Sequence, residues 1–591
     1  MGAFDVVVLG GGAAGVHVAT EVAGGGKAVA LVEAGLIGGE SAYLACLPSN
    51  SLLLSAARGE SWEDAVARRN EVTGGLDDSA PAGRLARAGV TVIRGTGRIT
   101  APGAVEVTLG PGAGMAPAGT TVPLAYSDLV IATGCEPVAP PIEGLSDIPA
   151  WTTAQSLSSP DLPRRLIVLG GGPAGCELTQ VYASFGSQVT LVEAEPALLP
   201  GEPAFAGEIL AAALRRAGAE ICLGSRATKA ERTPDGLTLA LADGTRIDAD
   251  RLLLASGRRP RLGGLGLDAL GLAVTPGMAL PTTTRCEVAG VSGNGSGRVW
   301  AAGDVTGTTH THASQYQASV VAANILGRHR EADYSAIPRC VFTAPTVFAV
   351  GTVPDGAAAA GDEDAAAETG AATGDGAAGS AAAAGSDPAA GSGPAAGDGT
   401  RRILRIAKIP AEAAGGEVAA SPPESPGARL ITARSSLGDT TRAHLGQDDL
   451  GCLELYADAE SGVLVGAVAV GPDAASWMGE VTLAIRAKVP VEVLADVVHA
   501  FPTYGEALQT AFRELAGAGG STVMADQKEK GIGPLSELDM ETPEGDAFEQ
   551  HQEVIADETV TGLRHEIPFD VNEADAAEQE RAVGFDDDDY R

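Results

Sequence analysis

Bases are scarce in this chain. Lys and Arg number 40 against 76 Asp and Glu, a formal charge of −36 over 591 residues. Such a surface has too few cations to neutralise nucleic-acid phosphates, and it is repelled by anionic membranes, so neither is expected as a partner. Paired cysteines are missing as well. The seven Cys (46, 135, 176, 222, 286, 340 and 452) include no CxxC pair and nothing with zinc spacing, so no metal site is expected. Scattered, unpaired Cys suit a reducing compartment, and a cytoplasmic location is expected. No apolar run approaches the ~20 residues that span a bilayer. The chain enters a strand at Phe4, so no secretory leader is expected.

Two stretches lack the side chains that build a core. Residues 356–399 are almost all Ala, Gly, Asp, Ser and Glu, the composition of a flexible insertion. From Glu541 to Arg591 about seventeen acids face about three bases, the pattern of a solvated acidic tail. Disorder is expected from about Ser521 onward. Asp586 to Asp589 read as a solvated end, with weak binding of a basic partner or a divalent ion as the alternative.

The rest of the chain carries a repeated pattern. Phe4 to Leu9 reads as a strand, followed by Gly10-Gly11-Gly12-Ala13-Ala14-Gly15, a helical stretch, a second strand (Ala28 to Val32) and Glu33. Arg165 to Leu169 opens the second copy, followed by Gly170-Gly171-Gly172-Pro173-Ala174-Gly175, a helix, the strand Gln188 to Val192, and Glu193. Each is a GxGxxG dinucleotide-binding unit. Gly10 and Gly170 permit the tight turn. Gly12 and Gly172 let backbone approach a pyrophosphate, and Gly15 and Gly175 let helix pack on strand. The helix N-terminus supplies N–H donors and a positive dipole end. Glu33 and Glu193 are placed to accept hydrogen bonds from ribose hydroxyls. A carboxylate at Glu193 repels a 2′-phosphate, which favours NAD(H) over NADP(H).

Further motifs extend the pattern. Ala132-Thr133-Gly134, Gly303-Asp304, Gly257-Arg258-Arg259-Pro260, Thr311-His312 and Ile337-Pro338-Arg339 through Gly351 follow in an order that resembles the class I pyridine nucleotide-disulfide oxidoreductases, the family of dihydrolipoamide dehydrogenase, glutathione reductase and mercuric reductase. The resemblance covers about residues 4–353 and 401–517. It implies an α/β fold with two Rossmann-like FAD- and NAD-binding domains plus an α+β dimerisation domain. The expected division is residues 1–150 and 278–330 for FAD, 151–277 for NAD(P) and 331–520 for dimerisation, then the tail 521–591. It also implies a homodimer, the Ala132-Thr133-Gly134 turn lying against the FAD, Asp304 on the ribityl chain, and Gly257 closing the NAD domain.

At the chemical positions the chain departs from the family. The family has two Cys separated by four residues and followed by Pro-Ser-Lys; this chain reads Ser41-Ala42-Tyr43-Leu44-Ala45-Cys46-Leu47-Pro48-Ser49-Asn50. Cys46 matches the Cys nearest the flavin, Ser41 replaces the interchange Cys, and Asn50 replaces the Lys near the flavin. Glu177 matches the family Glu that pairs with that Lys, and burial without the pair is expected to raise its pKa. Pro173 stands where some relatives place an aromatic lid; a well-set turn is the plainer reading. The C-terminal motif keeps Glu506 but has Phe501 where the partner-contributed catalytic His belongs, and Phe has no proton to give. His499, two residues earlier, is a displaced substitute or a structural His.

Cys46, Glu177 and Glu506 are thus the candidate catalytic residues of an FAD-dependent NAD(P)H oxidoreductase without a dithiol relay, passing electrons to a small-molecule acceptor. Cys46 tunes the flavin, cycles through a sulfenic acid, or is inert. Two other readings stay open: a true dihydrolipoamide dehydrogenase, and a non-catalytic dimeric flavoprotein whose tail and insertion bind other proteins.

Overall fold

A computed structural model describes residues 2–112, 116–291, 297–354, 406–408, 429–446 and 450–529, with side chains to 518. The insertion 356–399, and the tail from 530 onward including Asp586–Asp589, lie outside the described residues. One expectation is corrected: the helix Gly505–Glu529 carries regular backbone past Ser521, where disorder was expected.

The first sheet is built on buried β-branched and Leu runs. Strand Gly2–Leu9 lies between Val29–Glu33 and Thr121–Ile131, and all three run parallel. Strand Val90–Ala101 pairs in parallel with Val29–Glu33 through its first half, then turns out to pair antiparallel with Ala104–Leu109. On the other side Arg298–Ala301 joins Thr121–Ile131 in parallel, which brings this late segment back to the N-terminal sheet. Helices Ala13–Gly24 and Thr311–Ile325 pack on one face, where Val18, Val22, Val321 and Trp300 are buried together.

The second sheet is wholly parallel, in the order Glu220–Cys222, Gln188–Val192, Arg165–Leu169, Arg251–Leu254, Trp151–Thr152. Strands buried on both faces read as unbroken apolar runs, as Arg165–Leu169 does. An antiparallel three-stranded meander, Ala227–Thr233, Gly236–Leu241 and Arg246–Ala249, lies beside it in sequence.

The third sheet is antiparallel, with Arg339–Val341, Thr346–Gly351, Leu464–Gly471, Cys452–Asp458, Arg429–Ser436 and Ile406–Lys408 as neighbours. Helices Gly479–Ala487 and Gly505–Glu529 cover it through a core that includes Val481, Ile485, Leu508, Ala511 and Phe512. Helix Thr311–Ile325 takes in Thr311 and His312, which bear on the site.

Candidate functional site

The two glycine motifs fold into the same geometry. Gly10 has φ +105°, and a Cβ there would stand 2.2 Å from the Ala132 carbonyl oxygen. Gly170 has φ +112°, with the Ala255 carbonyl oxygen 2.4 Å from such a Cβ. A Cβ on Gly15 or Gly175 would meet the carbonyl oxygen of Gly10 or Gly170 at 1.9 Å. Gly12 and Gly172, by contrast, face open space, apart from Gly39 Cα at 4.0 Å from a Gly12 Cβ. Helices Ala13–Gly24 and Pro173–Ser184 start directly after these glycines without a side-chain cap, so their first N–H groups are left for a ligand. Pro173 is the first-turn proline of its helix, as a well-set turn requires.

Each motif carries its acid in the same way. Glu33 Oε2 accepts from Gly11 N at 2.5 Å and Oε1 from Gly35 N at 2.5 Å. Glu193 accepts from Gly171 N at 2.5 Å and Glu195 N at 2.8 Å. The carboxylates are thereby fixed at the strand ends, beside the turn.

Ala132, Thr133 and Gly134 follow the C-terminal end of Thr121–Ile131. Thr133 Oγ1 donates to the Arg261 carbonyl at 2.8 Å, and Gly134 has φ +73°. Gly303, at φ +85°, donates its N–H to Gln317 Oε1 at 2.8 Å. Asp304 Oδ2 accepts the Cys135 thiol at 2.8 Å. Burial, then the Asp304 charge, push that thiol up to about 12, so it is a hydrogen-bond donor at neutral pH. Gly257, at φ +114°, opens the turn after Arg251–Leu254.

A cavity of about 1570 Å³ joins the two units. It exceeds the roughly 300–1,000 Å³ of single small-molecule pockets, giving room for more than one ligand. Gly172, Glu193 and Gly257 line it from the second unit; Ser41, Cys46, Ser49 and Asn50 line it from the segment after the first.

Cys46 is the first residue of helix Cys46–Ala57 and is exposed. Its Sγ lies 3.6 Å from Thr311 Oγ1, and Ser41 Oγ lies 2.8 Å from the same oxygen. Ser41 therefore shares a partner with Cys46 but brings a hydroxyl, which cannot form a disulfide. Asn50 turns its amide back onto the Cys46 carbonyl at 2.9 Å. Glu177 is instead held by Ser49 Oγ, donating to Oε2 at 2.8 Å, and by Phe342 N, donating to Oε1 at 3.0 Å. Burial pushes the Glu177 carboxyl above the usual carboxylate range, as its lack of a cationic partner led us to expect.

The C-terminal residues divide. Glu506 accepts from Thr503 N at 3.2 Å and Thr441 N at 3.1 Å, the contacts of a carboxylate at a helix start. Phe501 is 73% exposed. The His499 side chain is 7% exposed, bonds Glu480 Oε1 at 2.8 Å and packs with the Phe512 ring, surroundings that favour the structural His of the two readings. Two residues apart, His499 is enclosed and Phe501 exposed.

Sequence reading missed three contributors. His310 lines the cavity beside His312, with ring centroids 5.3 Å apart. Burial first, then the charges of His312 and Arg339, lower its pKa to about 4, so its imidazole is neutral. Cys340 lines the same cavity as a free thiol, pushed up to about 11 by burial and by Glu177. Glu40, next to Ser41, forms ion pairs with Arg258 and Arg261, and Arg258 Nε reaches Cys135 Sγ at 2.6 Å. Of these residues, Cys340 lay within the Ile337–Gly351 motif and Arg258 within Gly257–Pro260. Among the described residues no cluster of three His, Cys, Asp or Glu suits a metal ion, and no helix is long and apolar enough to cross a membrane.

Residues 4–322 match the pyridine nucleotide-disulphide oxidoreductase family, and residues 424–512 match that family's dimerisation domain. The chain belongs to the pyridine nucleotide-disulphide oxidoreductases. Among its relatives, dihydrolipoyl dehydrogenase 3 of Pseudomonas putida is 28% identical over 543 residues, covering 88% of this chain and 99% of that protein. The mercuric reductase of Acidithiobacillus ferrooxidans is 28% identical over 533 residues, covering 86% and 81%. In fold it is similar to the HOCl-induced flavoprotein disulfide reductase RclA from Escherichia coli, with TM-score 0.67 and 23% identity over 86% of this chain and 99% of that one. The family's cofactors are FAD and a pyridine nucleotide, and the residues present fit both. In the first unit the open Gly12 turn, Glu33 and Asp304 would hold FAD; in the second Gly172 and Glu193 would hold the pyridine nucleotide. The dimerisation domain supports a homodimer.

Proposed function

We propose that this oxidoreductase takes a hydride from NADH and delivers the electrons, by way of FAD, to a small-molecule acceptor that is not a disulfide. Bound FAD supplies the hydride-accepting and electron-donating chemistry; the chain supplies binding, orientation and proton control. The observation that carries this reading is the Thr311 hydroxyl shared by Ser41 and Cys46, where dithiol chemistry needs a second sulfur. A second support is Phe501, with no transferable proton where a proton shuttle would stand. Glu193, held beside Gly171, favours a free ribose hydroxyl and hence NADH over NADPH.

The test is NADH oxidation by the FAD-loaded protein with a quinone, a dye and lipoamide side by side. Turnover with quinone or dye and none with lipoamide is expected. Lipoamide turnover equal to that with the dye would sink the reading. No turnover with any acceptor would favour the flavoprotein scaffold.

A further inference from the structure

Glu177 is a carboxyl in the cleft wall with no cation to balance it. Three segments present groups to it. Its own helix, Pro173–Ser184, presents Cys176, whose thiol is pushed up by burial. Helix Cys46–Ala57 presents Ser49 and Cys46, with the Asn50 amide turned to a carbonyl. Strand Arg339–Val341 presents Cys340 and Arg339, but that guanidinium is held by Glu202 at 2.6 and 2.9 Å. Among the described residues no Lys, Arg or His is hydrogen-bonded to Glu177.

Its two neutral partners suit both protonation states. Phe342 N–H donates to Oε1 whether the group is a carboxylate or a carbonyl. Ser49 both donates and accepts. It donates to Oε2 of the carboxylate, and it accepts from Oε2–H once the acid is protonated. An ammonium has no acceptor and would hold only the ionised form. A Ser partner in the absence of a cation therefore allows proton exchange where a Lys partner would fix the charge.

We propose that the Glu177–Ser49 pair is the proton donor of the cleft, with Glu177 as the acid and Ser49 as the residue that positions it. The proposal rests on the NADH and FAD reading above. Reduction of a quinone needs two electrons and two protons; NADH supplies both electrons and one proton as hydride, and a second proton must come from the site. The Glu177 O–H bond breaks as the quinone oxygen gains its proton, and water in the cleft returns a proton to the carboxylate. The sum is NADH, quinone and one proton giving NAD⁺ and hydroquinone. Burial raises the Glu177 carboxyl above its ordinary value and so favours the neutral acid that the transfer consumes.

The decisive experiment is an infrared difference spectrum of the FAD-loaded full chain, oxidised against dithionite-reduced, at neutral pH. A carboxylic-acid carbonyl band that changes with oxidation state is expected. It vanishes in Glu177→Gln and shifts in Ser49→Ala, which keeps the acid and guards against a misfolded Gln variant. The same two variants should slow the oxidative half-reaction with quinone, about 10²-fold for Glu177→Gln, and flatten its pH profile, with a smaller effect on flavin reduction by NADH. Absence of a Glu177-dependent band overturns the proposal whether or not any acceptor is reduced. An unchanged oxidative half-reaction in Glu177→Gln overturns it too. Failure of the proposed function would appear separately, as wild-type protein that reduces none of the acceptors.

Discussion

Gly12 and Gly15 belong to one motif and answer to different forces. A methyl group on Gly15 would overlap the Gly10 carbonyl, whereas one on Gly12 would sit in the open space that a pyrophosphate needs. Gly15→Ala is therefore expected to cost fold stability, about 1–3 kcal/mol or more by overpacking, with a lower Tm in the apoprotein. Gly12→Ala is expected to leave the apoprotein Tm nearly unchanged while FAD binding falls at least tenfold. Equal Tm losses in the two variants would contradict this division of roles. His310 yields a second prediction. Its folded pKa, about 4, lies below the ordinary value of 6.5, so the unfolded chain binds the proton first on acidification. Stability tied to this ring is complete above about pH 6.5 and is lost as pH falls toward 4, by about 2 kcal/mol at pH 5. His310→Asn should lose that slope in urea unfolding at pH 7.5 and pH 5; an identical slope would refute it. The tight turn at Gly10 and the close packing at Gly15 were legible in the sequence from their spacing. The surroundings of His499 were not, since its contacts with Glu480 and Phe512 come from segments distant in sequence.

The segment from Glu40 to Asn50 shows how an element acquires partners that its own sequence does not announce. Glu40 joins this segment to the strand end at Arg258–Pro260 through Arg258 and Arg261. That link spans more than two hundred positions, and no local pattern encodes it. Arg258 also reaches Cys135, which donates to Asp304. The four side chains thus connect the end of the NAD unit to the carboxylate assigned to FAD. Arg258→Ala removes one arm and leaves Glu40 with Arg261 alone. Since the pair is partly exposed, about 1 kcal/mol is a fair stability cost, but FAD release should quicken more, about tenfold, because Cys135 and Asp304 lose their brace. The check is flavin fluorescence on dilution beside a thermal melt. A melt that shifts without any change in FAD release would make the network purely structural.

At the scale of the molecule, the paired strand–turn–helix–strand units were readable because one pattern repeats. The return of Arg298–Ala301 to the first sheet followed from the Gly303-Asp304 motif at its end. What no pattern in the sequence displayed is a strip of exposed apolar side chains in the dimerisation domain. Val498 is 91% exposed, Phe501 73%, Val493 55% and Val497 38%. In a single chain, clustered side chains of this kind mark a surface that another protein covers, and the family's dimerisation domain spans all four. A second copy is the occupant expected here. Removing apolar surface from water is worth about 1.5–3 kcal/mol for each large side chain fully buried. Val498→Glu with Phe501→Glu should therefore weaken self-association by about 10²–10⁴-fold, since two such contributions are lost and two charges are added. Sedimentation across a dilution series reads this directly. A wild-type monomer, or a double variant that associates as tightly as wild type, would mean that the strip is covered by something else. Because Phe501 stands at the position whose counterpart reaches a partner's cleft in the resembling family, the same series run with and without quinone links assembly to acceptor binding. Weaker acceptor reduction in step with dissociation would show that the site is completed only in the pair.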